Sequence, residues 1–218
     1  MRRFCSLLLA GAAFAPAAVA ATTVGVDDSS GPWLGFMNVF DLGGGYQFGS
    51  PWGVPDLVAE FDDGSQQLRL APNSISDPDP YWYTPSGGPG AAGNKIMDAN
   101  LYQEYTDVYN GQTLTFEGTI LSNSFTSAHT ATAFIKDFAP DYSSFNISTV
   151  PLTPGAFSVS LATDPGAGRH VQFGFEVIGK NVWITDVAPF GEAIISTIPE
   201  PTSLLLLALG GLASLRRR

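Results

Sequence analysis

The chain is short of most side chains that do covalent chemistry. Among its 218 residues there is one cysteine, Cys5, and there are two histidines, His129 and His170. Cys5 lies inside an apolar leader, so the body of the chain has no thiol nucleophile, no disulfide and no cysteine-ligated metal. Neither a Gly-x-Ser-x-Gly stretch nor a His-Glu-x-x-His stretch occurs, which removes two common hydrolase signatures. Positive charge is scarce too. Of ten Lys and Arg, two precede the leader's apolar run and three end the chain, leaving Arg69, Lys95, Lys136, Arg169 and Lys180. Against them stand nineteen acidic side chains before the last few residues, a net of about −14. Such a surface is a poor partner for nucleic acid and anionic lipid, and a better one for neutral polysaccharide and divalent cations. No convincing helical period exists between the two ends.

What is present is period-two alternation. Leu57–Phe61 and Gln67–Leu70 flank Asp62-Asp63-Gly64-Ser65, which reads as a hairpin. In 111–121, Leu114, Phe116 and Ile120 face one way and Thr113, Thr115, Glu117 and Thr119 the other. His129–Phe138 is a further strand. Phe157, Val159 and Leu161 alternate with serines, and Val171, Phe173, Phe175 and Val177 with Gln172, Gly174 and Glu176. Asn181–Val187 reads as the return strand of a last hairpin, with Trp183 packed in the core, and Glu192–Ser196 as a closing strand. Eight to ten strands at roughly ten-residue spacing predict an all-β fold, an antiparallel β-sandwich or barrel.

The two ends have their own chemistry. Arg2 and Arg3, the apolar run to Ala18, and Ala18-Val19-Ala20 make a signal helix over residues 1–20, cut before Ala21 by signal peptidase. At the other end come Pro199-Glu200-Pro201, twelve uncharged residues from Leu204 to Leu215, and Arg216-Arg217-Arg218. Prolines keep the triplet extended. As a helix the apolar run spans about 18 Å, short of the roughly 30 Å hydrocarbon core. The arginines favour the cytoplasmic side. A helix buried in a protein core would not end in three arginines.

The order of those three features over 197–218 resembles the PEP-CTERM sorting signal. The resemblance implies a Gram-negative host that makes exopolysaccharide, and transient anchoring through a short C-terminal hydrophobic helix. It also implies processing by a membrane-embedded exosortase that recognises Pro199, Glu200 and Pro201, and a cell-surface or matrix destination. Residues 21–196 then form the exported domain. Its middle and final strands, Gly111–Phe116, Val171–Glu176 and Val182–Val187, look like those of galactose-binding-like jelly rolls, among them carbohydrate-binding modules. That resemblance implies a jelly-roll sandwich and, as in several of its members, a structural calcium.

The candidate site is the loop over 71–94, with five prolines. In it Tyr81, Trp82 and Tyr83 stand beside Asp77, Asp79 and Asn94. Rings stack on the flat C–H faces of sugars while carboxylates and amides bond the hydroxyls, so these residues, joined by Trp52 and Trp33, are the expected polysaccharide platform. The competing reading has the same rings plugging the end of the sandwich as core. Asp77 and Asp79 are also candidate calcium ligands, against the commoner role of acidic turns on a solvated surface. The resulting expectation is a non-catalytic surface or matrix protein that binds polysaccharide, with no cofactor beyond a structural calcium. The alternatives are a matrix protein without a specific ligand and a small glycan-active hydrolase or lyase.

Overall fold

The computed structural model of the chain describes residues 21–197. The signal helix, the Pro199-Glu200-Pro201 triplet and the C-terminal hydrophobic helix lie outside the described residues. Between those limits the chain forms strands and three short 3-10 turns, with no α-helix. Among the described residues no helix is long and apolar enough to cross a membrane.

Two six-stranded sheets pack face to face. The first centres on β9 (Thr113–Asn123) and reads β12 (Gly155–Ala162), β9, β14 (Ala193–Ser196), β5 (Gln67–Leu70), β4 (Ala59–Asp62). One edge of β9 is taken by β12, opposite residues 113–120. The other edge is shared. The short β1 (Ala21–Val24) runs parallel to residues 113–116, and β14 runs antiparallel to residues 120–123. The chain leaves both partners near Gly118, where a Cβ would come within 2.9 Å of Val26 Cγ2 and 2.8 Å of the Phe157 ring. Only glycine allows that crossing to close.

The second sheet is antiparallel throughout. Its order is β11 (Phe145–Pro151), β10 (His129–Phe138), β13 (His170–Lys180), β8 (Lys95–Thr106), β2 (Leu34–Asp41), β3 (Tyr46–Trp52). A separate two-residue ladder, β6 (Tyr83–Thr84) with β7 (Ala92–Gly93), orders the proline-rich loop.

The alternation read from the sequence becomes the core. Leu114, Phe116 and Ile120 of β9, Phe157 and Val159 of β12, and Val171, Phe173, Phe175 and Val177 of β13 are buried in one cluster between the sheets. The β4–β5 hairpin also follows the expected pattern, and the strand expected over 192–196 to close the sheet forms as β14, inside the sheet between β5 and β9. Two segments differ. β11 lacks an apolar alternation because it is an edge strand with both faces largely in solvent. Residues 181–187 are not the return half of a hairpin. β13 continues to Lys180, and Val182 makes one isolated parallel bridge to Ser74 before the chain enters 3-10 turns at Ile184–Asp186 and Ala188–Phe190. Trp183 is therefore on a loop, packed edge-on against Tyr83 with ring centroids 5.3 Å apart. The edge of β13 that a return strand would need is already filled by β8 on one side and β10 on the other.

One buried ion pair ties the strand ends together. Arg169 Nε donates to Asp137 Oδ1 at 2.8 Å, and the Asp164 backbone N–H donates to Asp137 Oδ2 at 2.7 Å. Asp137 is fully buried, so removing it would leave a guanidinium with little solvent and only the half-exposed Asp164 carboxylate, 3.3 Å from its other arm.

Candidate functional site

The loop rings do not share a face. Tyr83 is 0% exposed, and its hydroxyl lies 2.7 Å from the Ile75 carbonyl and 3.0 Å from that of Val182. Trp82 is half-buried against the main core, edge-on to Phe48. Tyr81 keeps 39% of its surface, with the Lys95 ammonium 3.9 Å from its ring centroid. Tyr81 and Trp82 meet at 88°, so no flat platform exists there. The expected three-ring platform is corrected by Tyr83, whose ring has no solvent-facing side. The physical reason is local. The chain turns at residues 79–83, with the Trp82 and Tyr83 N–H groups both donating to the Asp79 carbonyl, so successive rings splay apart, and a loop with five prolines gains its order by burying rings.

The carboxylates of that loop bond backbone. Asp79 Oδ1 accepts the Tyr81 N–H at 2.7 Å, and Asp77 Oδ1 accepts the Asp79 N–H at 3.0 Å. Among the described residues no group of three or more His, Cys, Asp or Glu is placed to hold a metal ion. Trp52 is half-buried on β3, with its indole N–H donating to Ser50 Oγ at 3.0 Å. Trp33 packs on Phe61, with ring centroids 5.5 Å apart.

A larger opening lies elsewhere, on the outer face of the second sheet. It is a groove of about 640 Å³. Strand order gives it walls and a floor. Phe36 of β2 and Pro51 of β3 form one wall, and Phe138 of β10 with Phe145 and Ile147 of β11 form the other. Tyr142, on the β10–β11 turn, joins the second wall. The central strands β8 and β13 supply the floor. Register aligns these residues in rows across the sheet. Phe36, Asn100 and Glu176 share one row, Tyr102, Gly174 and Phe134 another, and Glu104, Gln172 and Lys136 a third.

The rims are open and aromatic. Tyr142 is 48% and Phe145 51% exposed. Phe138 links them, its ring centroid 5.5 Å from Tyr142 and 4.9 Å from Phe145. Tyr142 stacks on His170 at 4.2 Å and 16°, and donates its hydroxyl proton to Glu104 Oε1 at 2.9 Å. Burial and that carboxylate push the Tyr142 phenol up to about 12, so it stays a neutral donor. Gln172 donates to the other Glu104 oxygen at 2.6 Å.

The floor is a connected polar network. Asn38 and Asn100 donate to the two Asp98 oxygens at 3.1 and 2.7 Å. Lys136 Nζ donates to Asn100 Oδ1 at 2.6 Å and pairs with Glu176 at 3.2 Å. To reach them its stem crosses the buried Phe134 ring, 4.2 Å from ammonium to centroid. Phe134 fits beneath because its row neighbour is Gly174. Burial, then the Glu176 charge, pushes Asp98 up to about 6, while Lys136 and the two amides pull the other way.

Sequence reasoning passed over this face because its residues come from six strands and no two rim residues are adjacent in the chain. One signal was available. Asp98, Asn100, Tyr102 and Glu104 alternate with buried Met97, Ala99, Leu101 and Gln103, so one side of β8 is polar and aromatic together. The histidines divide. His170 sits at the end of the groove, its Nδ1 2.8 Å from Thr106 Oγ1. His129 is buried, its ring held below the usual imidazole range by desolvation, with Nε2 3.0 Å from the Lys180 carbonyl.

Comparison with known families gives one match. The description PEP-CTERM protein-sorting motif fits residues 197–218. No curated protein and no solved structure is similar to the chain. The matched segment contains the Pro-Glu-Pro triplet, the apolar run and the arginines, and marks an exported, cell-surface-associated protein sorted by exosortase.

Proposed function

We propose that the domain is a non-catalytic polysaccharide-binding module of jelly-roll type, and that the groove of the second sheet is its site. The observation that carries this reading is the pairing of aromatic walls with a floor of amides and carboxylates on a single rigid sheet. Pyranose rings lie between Phe36 and the Phe138–Tyr142–Phe145 wall. Their hydroxyls exchange hydrogen bonds with Asn38, Asn100, Gln172 and the carboxylates, as an apolar cleft with a few placed polar groups does for small ligands. Asp98, Glu104 and Glu176 outnumber Lys136, which favours neutral or amine-bearing sugars over uronic acids. The jelly-roll assignment draws support from strand order. Counting β5, β8, β9, β10, β11, β12, β13 and β14 as eight successive strands, one sheet reads first, eighth, third, sixth and the other second, seventh, fourth, fifth. That is the order of two interlocked Greek keys.

Affinity gels containing neutral polysaccharides test the site. Wild type is retarded, and Tyr142→Ala/Phe145→Ala loses at least about 10-fold in affinity, roughly 1.4 kcal/mol. A double variant retained as strongly as wild type on every gel removes the groove as the site. A domain that no gel retards points to the ligand-free matrix role.

Cleavage of the bound glycan is the second reading, and one observation favours it. Asp98, held partly protonated near pH 6, and Glu176, paired with Lys136 at 3.2 Å, line one groove. One proton donor and one carboxylate is the division used in glycoside hydrolysis. The binding reading expects no new reducing ends on prolonged incubation. Release that disappears in Glu176→Gln would establish hydrolysis instead.

A further inference from the structure

The sorting tail leaves the domain under tight restraint. β14 is a central strand, held between β5 and β9. The next residue, Thr197, is fully buried, and its backbone N–H donates to the Gln66 carbonyl at 2.9 Å. Gln66 belongs to the β4–β5 turn. Ser29 bonds the same turn, its backbone N–H donating to Asp63 Oδ1 at 3.0 Å. Pro199 is two residues beyond this fixed point and Pro201 four. Fully extended, four residues reach about 14 Å. The apolar run starts seven residues beyond Thr197, at most about 25 Å away.

We infer that the surface around this exit, the β4–β5 turn with Ser29, is the face the folded domain presents to the membrane-embedded processing enzyme. Any site that grips Pro199-Glu200-Pro201 comes within a side chain or two of Asp63 and Gln66. The folded domain is thus part of what the enzyme meets. The exit lies in the first sheet, and the groove lies on the outer face of the second, with roughly 10 Å between the two sheets. Docking through the turn leaves the groove open while the tail is still in the bilayer. The turn carries the exposed Asp62 and Asp63, with Asp28 beside Ser29, so the complementary surface is basic or polar protein rather than anionic lipid.

This inference rests on the sorting motif and not on the glycan reading, so the two fail separately. The test is made on the full chain in membranes of its exporting cell. A photo-crosslinking side chain replaces Ser65 in the turn or, as control, Phe145 on the groove rim. The expected result is an adduct between the uncleaved chain and exosortase, identified by mass spectrometry, from Ser65 and none from Phe145. An eight-residue Gly-Ser spacer between Thr197 and Ile198 abolishes the Ser65 adduct while tail removal continues. At native spacing, Asp62→Lys/Asp63→Lys changes the processing rate several-fold, and with the spacer it does not. No adduct from Ser65, equal adducts from both positions, or a Ser65 adduct that survives the spacer would overturn the inference.

Discussion

The loop over 71–94 and the outer face of the second sheet are both rich in rings, yet they use them oppositely. In the loop Tyr83 is sealed in and Trp82 leans on the core. At the sheet edge Phe145, and Tyr142 on the turn that leads into it, stand about half open. The difference follows from who supplies order. A loop has only short ladders, here the two-residue pair β6 and β7, and must bury side chains to fix its backbone. A sheet edge is already fixed by its hydrogen bonds, so its rings are free to meet a ligand. Ring density alone therefore does not find a binding face.

Three substitutions would sharpen or break that contrast. The largest effect belongs to Tyr83→Ala. It empties a fully buried aromatic site and orphans the Ile75 and Val182 carbonyls, at a cost of about 3–5 kcal/mol in urea denaturation. The fraction that remains folded should bind glycan as wild type does. Reduced affinity in the folded fraction would return the loop to the site.

Next comes Asp98→Asn. The folded value of about 6 lies above that of an unstructured aspartate, so the folded state holds this proton more tightly. The stability this proton contributes is complete below about pH 4 and is lost as pH rises toward 6. Removing the charge should therefore raise stability at neutral pH by about 1–3 kcal/mol and flatten the pH dependence between those limits. Thermal melts from pH 4 to 8 measure it. An unchanged slope would mean that Asp98 is not the group desolvated on the floor.

The smallest effect is expected of Tyr81→Ala. Its exposed ring meets the Lys95 ammonium and the edge of the Trp82 ring, contacts worth together about 1 kcal/mol. Stability should fall by no more than that, with glycan retention unchanged. A loss of retention comparable to that of the rim variant would show that the loop and the groove act as one surface.

Much of the fold was legible because β-structure writes itself locally. Leu114, Phe116 and Ile120 reveal their strand by spacing alone, and Asp62-Asp63-Gly64-Ser65 reveals the hairpin. Residues 181–187 misled because an apolar stretch after a turn looks the same whether or not a sheet edge is free to receive it. β11 escaped because an edge strand has no buried side to mark. For the candidate site, rings and carboxylates close together in the chain pointed to the loop over 71–94, whereas the groove gathers such residues from six separate strands. Trp52 and Tyr81 lie off the groove, while Phe138, Tyr142 and Phe145 drew no attention as separate residues.

The sequence by itself determined the all-β class and the sorting tail. Both depend on neighbours along the chain: alternation at a period of two, and three features in fixed order. Only the tertiary structure decided which rings are open, how Asp98 comes to hold a proton, and how short a leash joins the domain to its tail. Each is a relation between residues far apart in the chain, such as Asp98 with Glu176 or Thr197 with Gln66. Exposure and desolvation exist only once two sheets have closed on each other and chosen which face of every strand is inside.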